Sequence, residues 1–137
     1  MDALETLHAF EEASKAGDLD KADTYLADSY ELDSVASGVH LKGKAAVRAF
    51  IDRVVDVFPD LKFEGKSAIV SGNKLIWEYV MSGTQKKEYR GMPATGKSFS
   101  LRCCSIMEFE EGLFTRETSY MDVATMMRQL GRLPPWG

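Results

Sequence analysis

At Phe58-Pro59-Asp60 the hydrophobic period of this chain changes from about 3.6 residues to 2. Upstream, Val47, Phe50, Ile51, Val54, Val55 and Phe58 recur at i, i+3, i+4, i+7, i+8 and i+11, which is one broad buried face of a helix. That helix stops at Pro59, because the residue before a proline disfavours helical geometry. Downstream, Leu61 to Ser71 reads as a strand, Gly72-Asn73 as a tight turn and Leu75 to Thr84 as its hairpin partner. Lys97 to Glu110 and Leu113 to Met121 read as two further strands joined by Glu111-Gly112.

The flanks fit the same division. Asp2 with Glu5 is a capping box that opens a helix carrying Leu4, Leu7, Phe10 and Ala13 and closing at Gly17. Asp18 restarts a shorter helix carrying Leu19, Ala22, Tyr25 and Leu26, and Tyr30 to Val35 is extended, followed by a loop through Gly38 and His40 to Gly43. Asp122 caps a last helix with Val123, Met126, Met127 and Leu130 on one face, closed by Gly131. Helices first and antiparallel strands after them predict an α+β domain whose curled sheet wraps over helices and encloses an apolar pocket. The 137 residues make one domain, with Pro134-Pro135 in a short tail.

Several function classes are excluded on charge and hydropathy. The net charge is −4 with no basic cluster, so no nucleic acid or anionic membrane surface is expected as a partner. No apolar run approaches the roughly 20 residues of a membrane helix, and the acidic start is no signal peptide. Cys103 and Cys104 are adjacent, a poor geometry for a disulfide, and both read as reduced thiols in a cytoplasmic protein. His8 and His40 lie at no metal-ligand spacing, so no metal site is expected.

Gly91-Met-Pro-Ala-Thr-Gly96-Lys97-Ser98 matches the phosphate-binding pattern G-x-x-x-x-G-K-[ST]. A phosphate cradle needs a buried strand before the loop and a helix after it. Here Lys86-Lys87-Glu88-Tyr89-Arg90 precedes it and an alternating strand pattern follows, so the match reads as a turn.

Four stretches, in order, resemble the SnoaL-like polyketide cyclase (ester cyclase) family. They are Gly43-Lys-Ala-Ala-Val-Arg-Ala-Phe50 running into Phe58-Pro59-Asp60, Ser82-Gly83-Thr84, Gly91 to Lys97, and Tyr120-Met-Asp122 followed by Gln129-Leu130-Gly131. The resemblance implies the cone fold shared with ketosteroid isomerase and nuclear transport factor 2. It implies an intramolecular aldol ring closure of a hydrophobic polyketide ester, without metal or cofactor. It also implies an aspartate at the end of the last strand as general acid/base, a position that Asp122 matches. Many members carry histidine where this chain has Gln85, which can donate a hydrogen bond but cannot titrate.

The expected site follows. Asp122 abstracts or returns a proton, and Gln85 or Tyr120 steadies the developing enolate. Trp77 and Tyr79, on one face of their strand with Met81, wall the cavity, while Glu78 points away. Thr118, Tyr120 and Asp122 share a face if no bulge intervenes, and Arg116 and Glu117 read as charged positions on a solvated or dimer-facing strand. A pocket walled by Trp77, Tyr79 and Tyr120 would raise the Asp122 pKa, whereas a pure helix cap would lower it; the expectation is a raised value. The other reading is a non-catalytic module binding a small apolar molecule. In either case the outer sheet face, with Glu78, Val80, Arg102 and Cys104, is expected to form a homodimer.

Overall fold

Asp2 sets the first helix by accepting the Glu5 N–H at 2.8 Å, while the Glu5 carboxylate accepts the Asp2 N–H at 3.2 Å. The computed structural model, which describes residues 1–132, continues from this box into α1 (Ala3–Lys15). Asp18 caps the short α2 (Leu19–Asp23), which stops before the expected Tyr25 and Leu26, because Leu26 is buried as the first residue of β1 (Leu26–Ser34); β2 (Val39–Lys42) follows. The amphipathic pattern before Pro59 forms α3 (Lys44–Val57). Four strands follow: β3 (Lys62–Ser71), β4 (Lys74–Thr84), β5 (Ser98–Glu110) and β6 (Leu113–Met121). Asp122 caps α4 (Val123–Gln129). The expected Pro134-Pro135 tail lies outside the described residues.

The strands form one curled, unclosed sheet in the order β2-β1-β6-β5-β4-β3. β3 to β6 are antiparallel neighbours, as their turns predict. The sheet as a whole is mixed, because β1 joins β6 in parallel. β2, read from sequence as loop, pairs with β1 from Glu31↔Lys42 to Ser34↔Val39. Only four residues long and alternately half-exposed, it carries too short a pattern to stand out between Gly38 and Gly43.

The concave face is the core. Alternation along β4 buries Leu75, Trp77 and Tyr79 and turns Ile76 and Glu78 outward. They cluster with Phe99, Leu101 and Met107 of β5, Leu7 of α1, Val47 of α3 and Met126 of α4. Each such buried side chain contributes roughly 1.5–3 kcal/mol. Phe58, at the end of α3, is the cornerstone of one end. It meets Tyr89 and Phe99 edge-on at 5.3 and 5.1 Å between ring centroids. Gly83 makes room for it, since a Cβ there would stand 3.1 Å from Phe58 Cβ. Among the described residues no helix is long and apolar enough to cross a membrane.

Candidate functional site

A carboxylate lies on the concave face, and it is Glu117. Its β5 neighbour is the buried Met107 and its β1 neighbour is the buried Leu32. Tyr30 donates its hydroxyl to Glu117 Oε1 at 2.7 Å, and Ser105 donates to Oε2 at 2.7 Å. Because the Ser105 proton is committed to the carboxylate, its oxygen is left to accept from the Tyr79 hydroxyl at 2.9 Å. The three hydroxyl residues are almost completely buried: Ser105 is 0%, Tyr30 2% and Tyr79 6% exposed. Burial, and next the charge of Glu117, push both phenols well above the ordinary value of 10.0. Both therefore remain donors at any working pH, and two hydroxyls, with a third behind Ser105, converge on one half-buried carboxylate.

This corrects the expectation for Glu117. Arg116 and Glu117 are not a surface pair; the strand separates them. Arg116 faces outward among acids, 2.8 Å from Glu31, 3.6 Å from Glu108 and 3.7 Å from Asp33. The reason is a slip in the β5–β6 ladder, where Phe109 pairs with Phe114 but Glu108 pairs with Arg116. The extra residue, Thr115, inverts the parity of everything after it. Without that bulge Thr118 and Tyr120 would follow Phe114 inward; with it, Glu117, Ser119 and Met121 do.

Of the expected site residues, Trp77 and Tyr79 lie on the concave face. Their rings stack 4.0 Å apart at 24°, and Phe63 leans on Tyr79 at 5.9 Å. Tyr120 is on the opposite, outer face, 46% exposed. Gln85 is buried, but its amide is spent on its own loop. It donates to the carbonyls of Lys87, Met92 and Pro93 at 3.2–3.3 Å and accepts the Thr95 hydroxyl at 3.0 Å. That side chain is the post around which the Gly91–Lys97 turn is folded, and the strand β5 follows it rather than a helix. No amide hydrogen of Gln85 is left for an enolate.

Asp122 is exposed, and its partners are in its own helix. One oxygen accepts the Thr125 N–H at 3.0 Å and the other accepts the Thr125 hydroxyl at 2.5 Å. These bonds, the side chain first and the backbone second, hold its pKa below the ordinary 3.8. The expected rise is therefore corrected to a fall, because the carboxylate points into the first turn of α4 and not among aromatic rings. His40 sits on β2 beside Glu31 at 3.2 Å, away from the Glu117 network.

Sequence reasoning missed Tyr30, Ser105 and Glu117 as a group. One signal was available: Cys103, Ser105 and Met107 alternate in step on β5, which places a serine in a buried row. The parallel pairing that brings Tyr30 over has no such local signal.

The sequence model of the SnoaL-like polyketide cyclase family matches residues 4–130. No curated protein matches the chain. Among solved structures, TsrD from Streptomyces laurentii is similar at 29% identity, with 97% of this chain and 99% of that one covered and a TM-score of 0.83. IdmH from Streptomyces antibioticus, a candidate polyketide cyclase, is similar at 20% identity over 96% and 99% of the chains, TM-score 0.83. AclR from Streptomyces galilaeus, a candidate hydroxylase, is similar at 18% identity over 97% and 87%, TM-score 0.83. At such identities the last two speak for the fold. With the α+β cone and a match over nearly its full length, the chain belongs to the SnoaL-like polyketide cyclase family.

Proposed function

We propose that the protein is a cofactor-independent acid/base enzyme of the cyclase or isomerase type, acting on a hydrophobic carbonyl compound, with Glu117 as its proton-transfer group. The observation that carries this reading is the carboxylate on the concave face, held at both oxygens by Tyr30 and Ser105. Glu117 takes a proton from the carbon beside a carbonyl, and the C–H electron pair becomes the enolate. In a ring closure the enolate carbon then bonds to a second carbonyl of the same molecule, and protonated Glu117 returns the proton to the new alkoxide. Tyr30 and Ser105 are positioning residues, and Tyr79 fixes Ser105 from behind. Trp77 and Tyr79, stacked on each other and 4% and 6% exposed, back the network from the apolar core. Asp122 in this reading serves as the helix cap. Turnover of β-ketoesters by the wild type and by Glu117→Gln tests it. A fall of about a hundredfold or more is expected, and equal turnover removes Glu117 from the chemistry.

A second reading, a non-catalytic binding module, is favoured by one observation: Asp122 and Glu117 each have both oxygens engaged within the protein. A panel of ketoesters left unturned while one binds would support it.

The outer sheet face presents Ile76, 39% exposed, and Tyr120, 46% exposed, in rows with Ile106 and Cys104. We place a homodimer contact there, because exposed large apolar groups clustered on one sheet face mark interfaces. Free Cys103 and Cys104 suit the reducing cytoplasm.

A further inference from the structure

Apart from the Glu117 network, a recess of about 140 Å³ lies between α1 and β3, lined by His8, Glu11, Gly65, Lys66, Ala68 and Trp77 among others. Its shape follows from the sheet. The β3–β4 ladder pairs Gly65 with Tyr79 but Ser67 with Glu78, so Lys66 is an inserted residue and the strand bulges. Opposite two large aromatic side chains of β4 stand two of the smallest: Gly65 faces Tyr79 and Ala68 faces Trp77. The helix above cannot close on so low a floor.

Trp77 is 4% exposed, and its indole Nε1–H is buried without a hydrogen-bond partner among the described residues. Such a group is rare in a folded protein, because a buried donor deprived of water keeps its full desolvation cost. The Glu11 carboxylate reaches the same spot. A Cβ built on Gly65 would stand 2.8 and 3.0 Å from the two Glu11 oxygens and 3.0 Å from Trp77 Nε1. Burial raises the Glu11 carboxyl above its ordinary value, against the opposing pull of His8 and Lys15. A donor and an acceptor thus approach Gly65 together, on a face where any side chain would force one of them aside.

We propose that this recess is a binding site for a small neutral amide, whose carbonyl accepts from Trp77 Nε1–H and whose N–H donates to Glu11. The Glu11 carboxylate disfavours an anion, and a cation without a lone pair would leave the indole N–H with no acceptor. The size limits the ligand to about one six-membered ring, since a cavity of about 150 Å³ holds benzene. The lining contains none of Tyr30, Ser105 and Glu117, so this ligand is not the substrate proposed for Glu117.

The test uses the full chain labelled with nitrogen-15 and δ-valerolactam as probe. The indole signal of Trp77, identified by its loss in Trp77→Phe, should shift saturably with millimolar affinity. Gly65→Ala crowds the donor and the acceptor, Glu11→Ala removes the acceptor, and each should weaken binding by about tenfold or more. N-methyl-δ-valerolactam, which has no N–H to give, should bind the wild type about tenfold more weakly as well. If Gly65→Ala does not fold, Glu11→Ala and the methylated probe carry the result. Absence of a saturable shift, or unchanged affinity in Glu11→Ala and for the methylated probe, overturns the proposal.

Discussion

Tyr30 and Glu117 lie 87 residues apart in sequence and share a 2.7 Å hydrogen bond inside the cone. The contact exists because β1 runs parallel to β6, with Leu32 beside Glu117. It links the start of the sheet to its last strand and gives the concave face a charged group. Tyr79 extends the link through Ser105 to β4.

The two buried phenols make stability sensitive to alkali. Folding raises both pKa values above the ordinary 10.0, burial being the main cause and Glu117 the next. Their contribution is therefore complete below pH 10 and is lost as the pH rises toward the folded values. Denaturant midpoints measured from pH 8 to 11.5 should fall steeply above 10 in the wild type and less steeply in Tyr30→Phe and Tyr79→Phe. Parallel curves for all three proteins would show that these hydroxyls are not shielded as described.

Asp122 should behave as a cap. Its folded pKa is depressed, so its contribution is present above the ordinary aspartate value and disappears as the pH falls through the lower, folded one. Asp122→Ala should lower Tm by about 4 °C at pH 7, with the difference from wild type shrinking toward pH 2. Thermal melts across that range check it. A difference that grew on acidification would mean a raised pKa and a buried carboxylate.

Tyr120 tests the outer face. Tyr120→Glu places a charge in the row Glu78–Cys104–Tyr120 without touching the core. Light scattering should give a dimer mass for the wild type and a monomer mass for the variant, with an unchanged circular dichroism spectrum. A monomeric wild type at micromolar concentration contradicts the proposed interface.

Much of this architecture is readable from residues. The change of period at Pro59, the Gly72-Asn73 turn and the caps at Asp2, Asp18 and Asp122 are local signals, and the elements they open begin where the signals lie, although α2 stops short of Tyr25 and Leu26. Trp77 and Tyr79 could be put on the concave face because β4 runs from Lys74 to Thr84 without a slip against β5. The site residues on β6 could not. One extra residue, Thr115, exchanges the faces of the strand, and nothing in Leu-Phe-Thr-Arg-Glu-Thr-Ser-Tyr-Met announces it. Gln85 shows a related difficulty: a buried glutamine beside a turn looks the same in sequence whether it serves a ligand or, as here, four groups of its own loop. Parallel pairing of β1 with β6 is non-local, and it is what makes Tyr30 part of the site.

The choice between Glu117 and Asp122 as proton-transfer group can be made by following deuterium exchange. A β-ketoester substrate in heavy water, monitored by proton NMR at the carbon between its carbonyls, reports proton abstraction whether or not a ring closes. Glu117→Gln should lower the enzyme-dependent exchange rate by about a hundredfold or more, while Asp122→Asn should remain within about twofold of wild type, since its carboxylate serves the Thr125 N–H and hydroxyl. Exchange lost in Asp122→Asn and retained in Glu117→Gln, or no enzyme-dependent exchange at all, would contradict a catalytic carboxylate at Glu117.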